Sequence, residues 1–305
     1  MKERSRQRPE IGTSRARRHW HPVLLAKDLK DAPVSVSVLG APMVVSRTRF
    51  GLSAGRCFDA VEHHGIVWVR ERGSNAPLPA IDAGGRYFIG HDTGIINAPF
   101  YIVVDNFTEV EHSPMNHFLL GFDEEGILSV EPKLEVRSDS LHITVAGPQR
   151  EIPWWTFGRV VGVKKGLRLV IDFTVRFDPL AWVYDLSWAD PKTGKKLPQN
   201  LRLCAFITPR DDKSTSVFFL HYSSIHLFSP RNPLASVLKR LYLRTVNHEL
   251  ELDRKICENV AEMNPGPSLE GFQLGKFDRP LPLTRKLIRS VYDGPTAERA
   301  LEAAE

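Results

Sequence analysis

No apolar run in the chain is long enough to cross a bilayer as a helix, and the first residues carry no hydrophobic signal core. Cysteine is scarce: Cys57, Cys204 and Cys257 are odd in number and far apart, so no disulfide framework is implied. These absences set the expectation of a reduced, cytoplasmic protein with no membrane partner. No Gly-x-Gly-x-x-Gly or Walker loop occurs, which leaves a bound nucleotide unsupported. Most of the chain also lacks an excess of either charge. The net +5 is accounted for by Lys2, Arg4, Arg6, Arg8, Arg15, Arg17 and Arg18, set against Glu3 and Glu10. That tail reads as a solvated, disordered terminus. No aromatic-interleaved basic surface follows it, which argues against nucleic-acid binding.

What is present is an ordinary globular composition, 42% hydrophobic and 25% charged, in 305 residues. That length can bury a large core and suggests about two domains. Trp20 to Leu25, Val34 to Leu39, Pro42 to Ser46 and Gly65 to Arg70 read as short strands, and Ser74 to Gly85 as a linker. Strands are then expected at Tyr87 to Ile89, Phe100 to Val104, Ile127 to Val136, Leu141 to Val145, Arg159 to Val163 and Leu167 to Arg176. Ala181 to Ser187, Arg202 to Thr208 and Thr215 to Tyr222 continue the series, with turn clusters between most of them. Leu234 to Met263 changes to helical spacing, with Leu252, Ile256, Val260 and Met263 on one stripe, and Asn264 to Pro267 stops it. The expectation is an α+β architecture: a large curved antiparallel sheet closed by a late long helix.

The chemistry concentrates in Asp105 to His117, where His112 and His117 follow the apolar run Phe100 to Val104. Two neutral imidazoles and one carboxylate make the face that holds a non-heme Fe(II) with open coordination positions. Residues five apart do not share a helix face, so one straight helix cannot aim both rings at one metal. Ser113-Pro114 offers the break, with serine as an N-cap and proline at the first helical position; one helix turn is expected to end near His112 and another to start at Ser113. Spacing alone is weak, since eleven histidines in this length give about 0.4 such pairs by chance. The third ligand must come from elsewhere. Asp253 is favoured because it starts the stripe Asp253, Cys257, Val260, and a carboxylate leading toward buried positions wants a partner; Glu249 and Glu251 are its rivals.

Asp105-Asn106-Phe107-Thr108-Glu109-Val110-Glu111-His112 followed by His117 resembles the iron-binding segment of Rieske-type non-heme iron oxygenases, particularly the vanillate-demethylase-like branch of the ring-hydroxylating alpha subunits. Trp20-His21-Pro22-Val23 and Lys30 to Val34 resemble the family's opening, and Gly65 to Val69 its strand closing the cluster domain. Ile207-Thr208-Pro209 with Val217-Phe218-Phe219 resembles a late strand pair, and Leu252 to Glu258 the helix bearing the carboxylate ligand. The resemblance implies His112, His117 and Asp253 as iron ligands, Asn106 and Glu109 as candidate catalytic residues beside them, and a helix-grip fold (START/Bet v 1-like) for the catalytic part. The implied division is a basic tail at 1–18, a degenerate Rieske-like β domain at 19–85, a helix-grip iron domain at 86–292 and a tail at 293–305.

Two departures from the family carry meaning. A Rieske [2Fe–2S] centre needs two cysteines and two histidines, in the family as Cys-x-His and Cys-x-x-His, and neither pattern follows any of the three cysteines. Only a short connection joins Pro42-Met43-Val44-Val45 to Gly55-Arg56-Cys57-Phe58, where both motifs belong, so this chain is expected to hold no cluster. Glu109 stands where the family has an aspartate implied to bridge toward a neighbouring subunit's cluster. Two functions follow. One is an Fe(II) oxygenase subunit that hydroxylates, demethylates or desaturates an apolar or aromatic substrate. Its electrons would come from a separate Rieske-bearing chain or a ferredoxin/reductase, in a trimer or hetero-oligomer. The other is a non-catalytic binding or structural subunit of an oxygenase complex. Retention of His112, His117 and Asp253 together favours the first. Gly51-Leu52-Ser53-Ala54-Gly55 fits a nucleophile elbow, but Arg56 to Gly65 lacks the apolar stripe of the helix that must follow.

Overall fold

The computed structural model describes residues 15–117, 121–137, 139–153, 156, 158, 162–177, 180–263 and 276–292. Seven strands make one fully antiparallel sheet in the order β7-β13-β12-β11-β10-β9-β8. They are β7 (Tyr87–Ile96), β8 (Lys133–Val136), β9 (Ser140–Pro148), β10 (Arg168–Phe177), β11 (Leu180–Ala189), β12 (Lys196–Pro209) and β13 (Thr215–Ser223). Period-2 patterning decides which face is which. In β10, Leu169, Ile171, Phe173, Val175 and Phe177 are buried on one side, while Arg168 and Arg176 are exposed on the other. Helices α1 (Phe100–Thr108), α2 (Ser113–Asn116), α3 (Ala235–Met263) and α4 (Pro280–Tyr292) accompany the sheet among the described residues. This is a mixed sheet-and-helix fold with a long antiparallel sheet. No helix among the described residues is long and apolar enough to cross a membrane.

The N-terminal strands form two small sheets: β1 (His21–Leu25), β6 (Ile66–Glu71) and β5 (Phe58–His63) in one, β2 (Val34–Val38), β3 (Ala41–Thr48) and β4 (Gly51–Ser53) in the other. The first covers the outer face of the large sheet. Trp20, Leu25, Ile66 and Trp68 pack there on Cys204, Phe206, Phe218 and Leu220, with the Trp68 and Phe206 rings edge to face at 4.9 Å. All nine residues of β13 are buried for this reason, since one face meets this layer and the other meets the main core.

Several expected elements differ. Phe100–Thr108 is a helix rather than a strand: five consecutive apolar residues have no readable period, and Pro99 at the N-cap starts a helix as readily as it ends a loop. Phe58–His63 is a strand inside what reads as a polar connection, and residues 126–129 form a 3-10 turn, so only Lys133–Val136 of that expected strand is extended. The buried face of α3 is Tyr242, Val246, Glu249, Leu250, Asp253 and Cys257, not the stripe ending at Met263, which is exposed. Helix α4 has no counterpart in the expected elements. Ser53 lies at the end of a strand in a hairpin with no helix after it, which removes the nucleophile elbow. Most of Arg159 to Val163, the stop at Asn264 to Pro267, residues 1–14 of the tail and residues 293–305 lie outside the described residues.

Candidate metal centre

Helix α1 brings the site segment onto the inner face of the sheet. Phe100, Val103, Val104 and Phe107 bury its apolar side, and its end is tied down by side chains from β11. The Trp182 indole donates to Thr108 Oγ1 at 3.2 Å, and the Tyr184 hydroxyl donates to the Phe107 carbonyl. The helix stops at Thr108, four residues earlier than expected. His112 is the N-cap of α2 and His117 is its C-cap, so Ser113 is the first helical residue rather than the cap. This answers the five-residue spacing. The two imidazoles flank a single-turn helix from outside it and can turn toward each other. Arg150 holds the far end by donating to the Pro114 and His117 carbonyls, 2.9 Å to the latter. Gly121 passes so close that a Cβ there would sit 2.5 Å from the His117 carbonyl oxygen.

Three atoms converge. His112 Nε2 and His117 Nε2 are 3.0 Å apart, and Asp253 Oδ1 lies 3.2 Å from each. Nitrogen and oxygen ligands of a divalent first-row metal, bound at roughly 2.1 Å, stand about 3.0–3.4 Å from one another between right-angled and tetrahedral geometry. His112, His117 and Asp253 therefore form a donor set with the chemistry and spacing to hold a metal ion. Each remote ring nitrogen meets its own carboxylate: His112 Nδ1 bonds Glu109, and His117 Nδ1 bonds Glu249 Oε2 at 2.7 Å. Such carboxylate–histidine pairs fix which nitrogen is presented inward. Asn106 donates from Nδ2 to Asp253 Oδ1 at 3.0 Å. Of the sequence-predicted residues, His112, His117, Asp253, Asn106 and Glu109 are brought together. Glu249 is present as an orienting partner rather than at the triangle, and Glu251 pairs instead with Arg254.

The electrostatics follow from burial. Taking Asp253 out of water would raise its pKa, but His117 and His112 beside it hold it well below the usual carboxylate range. Burial likewise opposes a charged His112, yet the Glu109 carboxylate and the bond to Asp253 outweigh it and raise its pKa to about 9; Asp253 and Glu249 raise His117 in the same direction. Three carboxylates thus crowd two imidazoles, an arrangement that favours a cation. Asp105, buried one residue before Asn106, is pushed up to about 6 by desolvation, against the pull of Arg285 on α4, which donates to it from Nε at 2.9 Å.

Beside the triangle lies a cavity of about 110 Å³, walled by Phe107, Val110, Ile171, Leu186, Leu203, Phe219, Val246 and Leu250 and lined also by Tyr184, Asp92 and His221. Trp182 and Trp188, by contrast, are fully buried core residues. Two buried polar atoms of cavity-lining residues have no hydrogen-bond partner: Ser113 Oγ and His221 Nε2. Sequence reading misses Glu249 as the partner of His117 because nothing local links residues so far apart.

The fold is one seen in solved oxygenases. The chain superposes on dicamba monooxygenase bound to 3,6-dichlorosalicylic acid with a TM-score of 0.71 and 14% sequence identity, over 95% of this chain and 99% of that one. It superposes on Pseudomonas putida NdmA (QL mutant, with caffeine) with a TM-score of 0.64 at 14% identity, over 91% and 95% of the two chains. Another dicamba monooxygenase structure, TM-score 0.60, contains non-heme iron and dicamba. No protein-family model matches the sequence, and no curated protein does.

Proposed function

We propose that the chain is a mononuclear non-heme Fe(II) oxygenase subunit, with His112, His117 and Asp253 as the iron ligands. The observation that carries this is the triangle of two imidazole nitrogens and one carboxylate oxygen, 3.0–3.2 Å on a side, next to an apolar cavity. Iron held there by two histidines and a carboxylate supplies the redox chemistry by which dioxygen hydroxylates, demethylates or desaturates an apolar or aromatic molecule. The protein's own residues prepare the place. Glu109 and Glu249 keep each Nδ1 engaged so that Nε2 is presented inward, Asn106 fixes the Asp253 carboxylate, and the walls from β10 to β13 and α3 exclude water from the substrate's side. Dicamba monooxygenase and NdmA, by their names and ligands, act on or bind ring compounds with the same fold, which supports an oxygenase.

Residues 19–85 are, in this proposal, the scaffold of a Rieske domain without its cluster, and residues 86–292 the helix-grip iron domain. In support, β3 and β4 are joined by Arg49-Phe50 alone, and Cys57, between β4 and β5, is the one cysteine of residues 19–85; Cys204 and Cys257 are buried in β12 and α3. Electrons then come from a separate Rieske-bearing chain or a ferredoxin/reductase, in a trimer or hetero-oligomer. Metal analysis of anaerobically purified protein tests the site: near-stoichiometric iron is expected, lost in His112→Ala and Asp253→Ala. No iron after Fe(II) reconstitution would instead support a helix-grip binding or structural subunit. Co-purification tests the donor, and a chain that turns over alone with a generic reductase argues against a dedicated Rieske partner.

A further inference from the structure

His221 is a buried imidazole on the cavity wall that the metal centre does not use. It sits on β13 in register with Leu203, which pairs in turn with Tyr184, and all three line the cavity. Its Nδ1 is 3.3 Å from the Tyr242 hydroxyl of α3, while its Nε2 is buried with no partner. An unpartnered buried polar atom costs about 1–3 kcal/mol, and native folds rarely carry one without a ligand or water to meet it. Burial, with the His91 charge, lowers the His221 pKa to about 3, so the ring is neutral near pH 7. A neutral imidazole has one donor and one acceptor nitrogen. Burial also keeps the Tyr242 hydroxyl protonated. In the tautomer where that hydroxyl donates to Nδ1, the ring proton resides on Nε2 and makes it a donor on the cavity wall.

Charge and size narrow what this donor meets. Among the described lining residues there is no lysine or arginine, while Asp92, Glu109, Glu249 and Asp253 are all present. Glu109, Glu249 and Asp253 outnumber the charge of one divalent cation, so an anion entering the cavity meets net repulsion with the metal bound as well as without it. The volume of about 110 Å³ is of the order of the roughly 150 Å³ apolar cavity that accommodates benzene in another protein, which fits a single ring.

We propose that the cavity takes an uncharged, ring-sized apolar molecule bearing one hydrogen-bond acceptor, that the acceptor is seated on His221 Nε2, and that the corresponding carboxylate is rejected. Its link to the oxygenase reading is that this molecule is the substrate class. Dicamba monooxygenase, with 3,6-dichlorosalicylic acid bound, takes an acid on the same fold; this cavity is built for a neutral ligand.

Three probes isolate the claim: 4-methylacetophenone, which is neutral with a carbonyl acceptor; 4-methylbenzoate, nearly the same shape but anionic; and 4-ethyltoluene, which has no acceptor. Calorimetric titration into the full-length protein, chelated and in parallel iron-loaded, is expected to show the ketone binding about tenfold more tightly than either of the others. His221→Leu should weaken the ketone by about tenfold and change 4-ethyltoluene by less than about twofold. His221→Gln, whose amide supplies a donor again, should recover part of the ketone affinity, and it decides the matter if the leucine variant does not fold. Benzoate binding as tightly as the ketone overturns the proposal. So does equal weakening of ketone and 4-ethyltoluene in the His221 variants, or the absence of saturable binding by all three. Binding to the chelated protein does not depend on iron. A protein that binds the ketone but no metal sinks the oxygenase reading alone, and one that loads iron but prefers benzoate sinks this inference alone.

Discussion

The two imidazoles of the candidate centre are steadied by different means. The outer partner of His112 is Glu109, three residues earlier in the same loop, whose carboxylate also accepts from the backbone N–H groups of Glu111 and His112. The outer partner of His117 is Glu249, 132 residues away on α3, one turn before Asp253 on the same helix face. One half of the site is thus organised by its own local chain. The other half exists only when the long helix is docked on the sheet. The His112 half should be robust to damage elsewhere, and the His117 half should report on tertiary packing.

The largest effect expected from this asymmetry is on the metal-free protein. His117→Ala removes the ring that meets both Glu249 and Asp253, whose side chains are only 4% and 9% exposed, and leaves Asp253 with His112 and Asn106. Removing one partner of a buried charge pair costs about 3–5 kcal/mol, so urea denaturation of chelated protein should show a loss toward the lower end of that range. His112→Ala leaves Glu109 with its two backbone donors, and its loss should be clearly smaller. Equal losses would break the comparison.

Next in size is metal affinity. Removing a carboxylate behind a ligating histidine typically costs about 10–100-fold. Glu249→Gln should fall in that range by chelator competition. Glu109→Gln should fall at its lower edge, because the loop's backbone contacts still aim the ring. The reverse order would mean that the local loop, rather than α3, sets the geometry.

This contrast also explains what could be read from the chain. Asp105 to His117 is legible because its chemistry is local, with two imidazoles, a helix break and Glu109 inside thirteen residues. The strands from Tyr87 onward are legible by alternation, although the identical logic makes a strand of Phe100 to Val104, where an apolar run hides the helical period. Asp253 is reached through its resemblance and through the stripe it shares with Cys257. Glu249 is named only as a rival ligand, since no spacing rule joins it to His117. Helix α4 and its Arg285 hold on Asp105 leave no motif at all. His221 is invisible for another reason: its interest lies in lacking a partner, which is a property of the fold and not of the residue type.

The pH dependence should separate the two states of the site. His112 has its pKa raised from 6.5 to about 9 in the metal-free fold, and His117 shifts the same way. A raised pKa contributes stability that is fully present below pH 6.5 and is lost as pH climbs through about 9. Asp253, held low, contributes above its ordinary value and loses that contribution only in acid. Metal-free stability should therefore decline from neutral to alkaline pH, while metal affinity rises over the same window because binding releases the imidazole protons. Glu109→Gln should move the His112 midpoint downward, as followed by imidazole NMR. A His112 midpoint unmoved by that change would remove Glu109 as the cause.

The smallest effect tests whether the local half stands on its own footing. The Tyr184 hydroxyl donates to the Phe107 carbonyl at the end of α1, just before Glu109, and Tyr184 also lines the cavity. Tyr184→Phe keeps the ring against Phe173 and deletes one neutral hydrogen bond, a change worth about 1 kcal/mol of stability. If the loop is held by its own bonds, Glu109 to the backbone of residues 111 and 112 and Arg150 to the carbonyls around α2, then metal affinity should stay within about a factor of two. A drop approaching that of Glu249→Gln would show that the sheet positions His112 as firmly as α3 positions His117, and the distinction between the two halves would be gone.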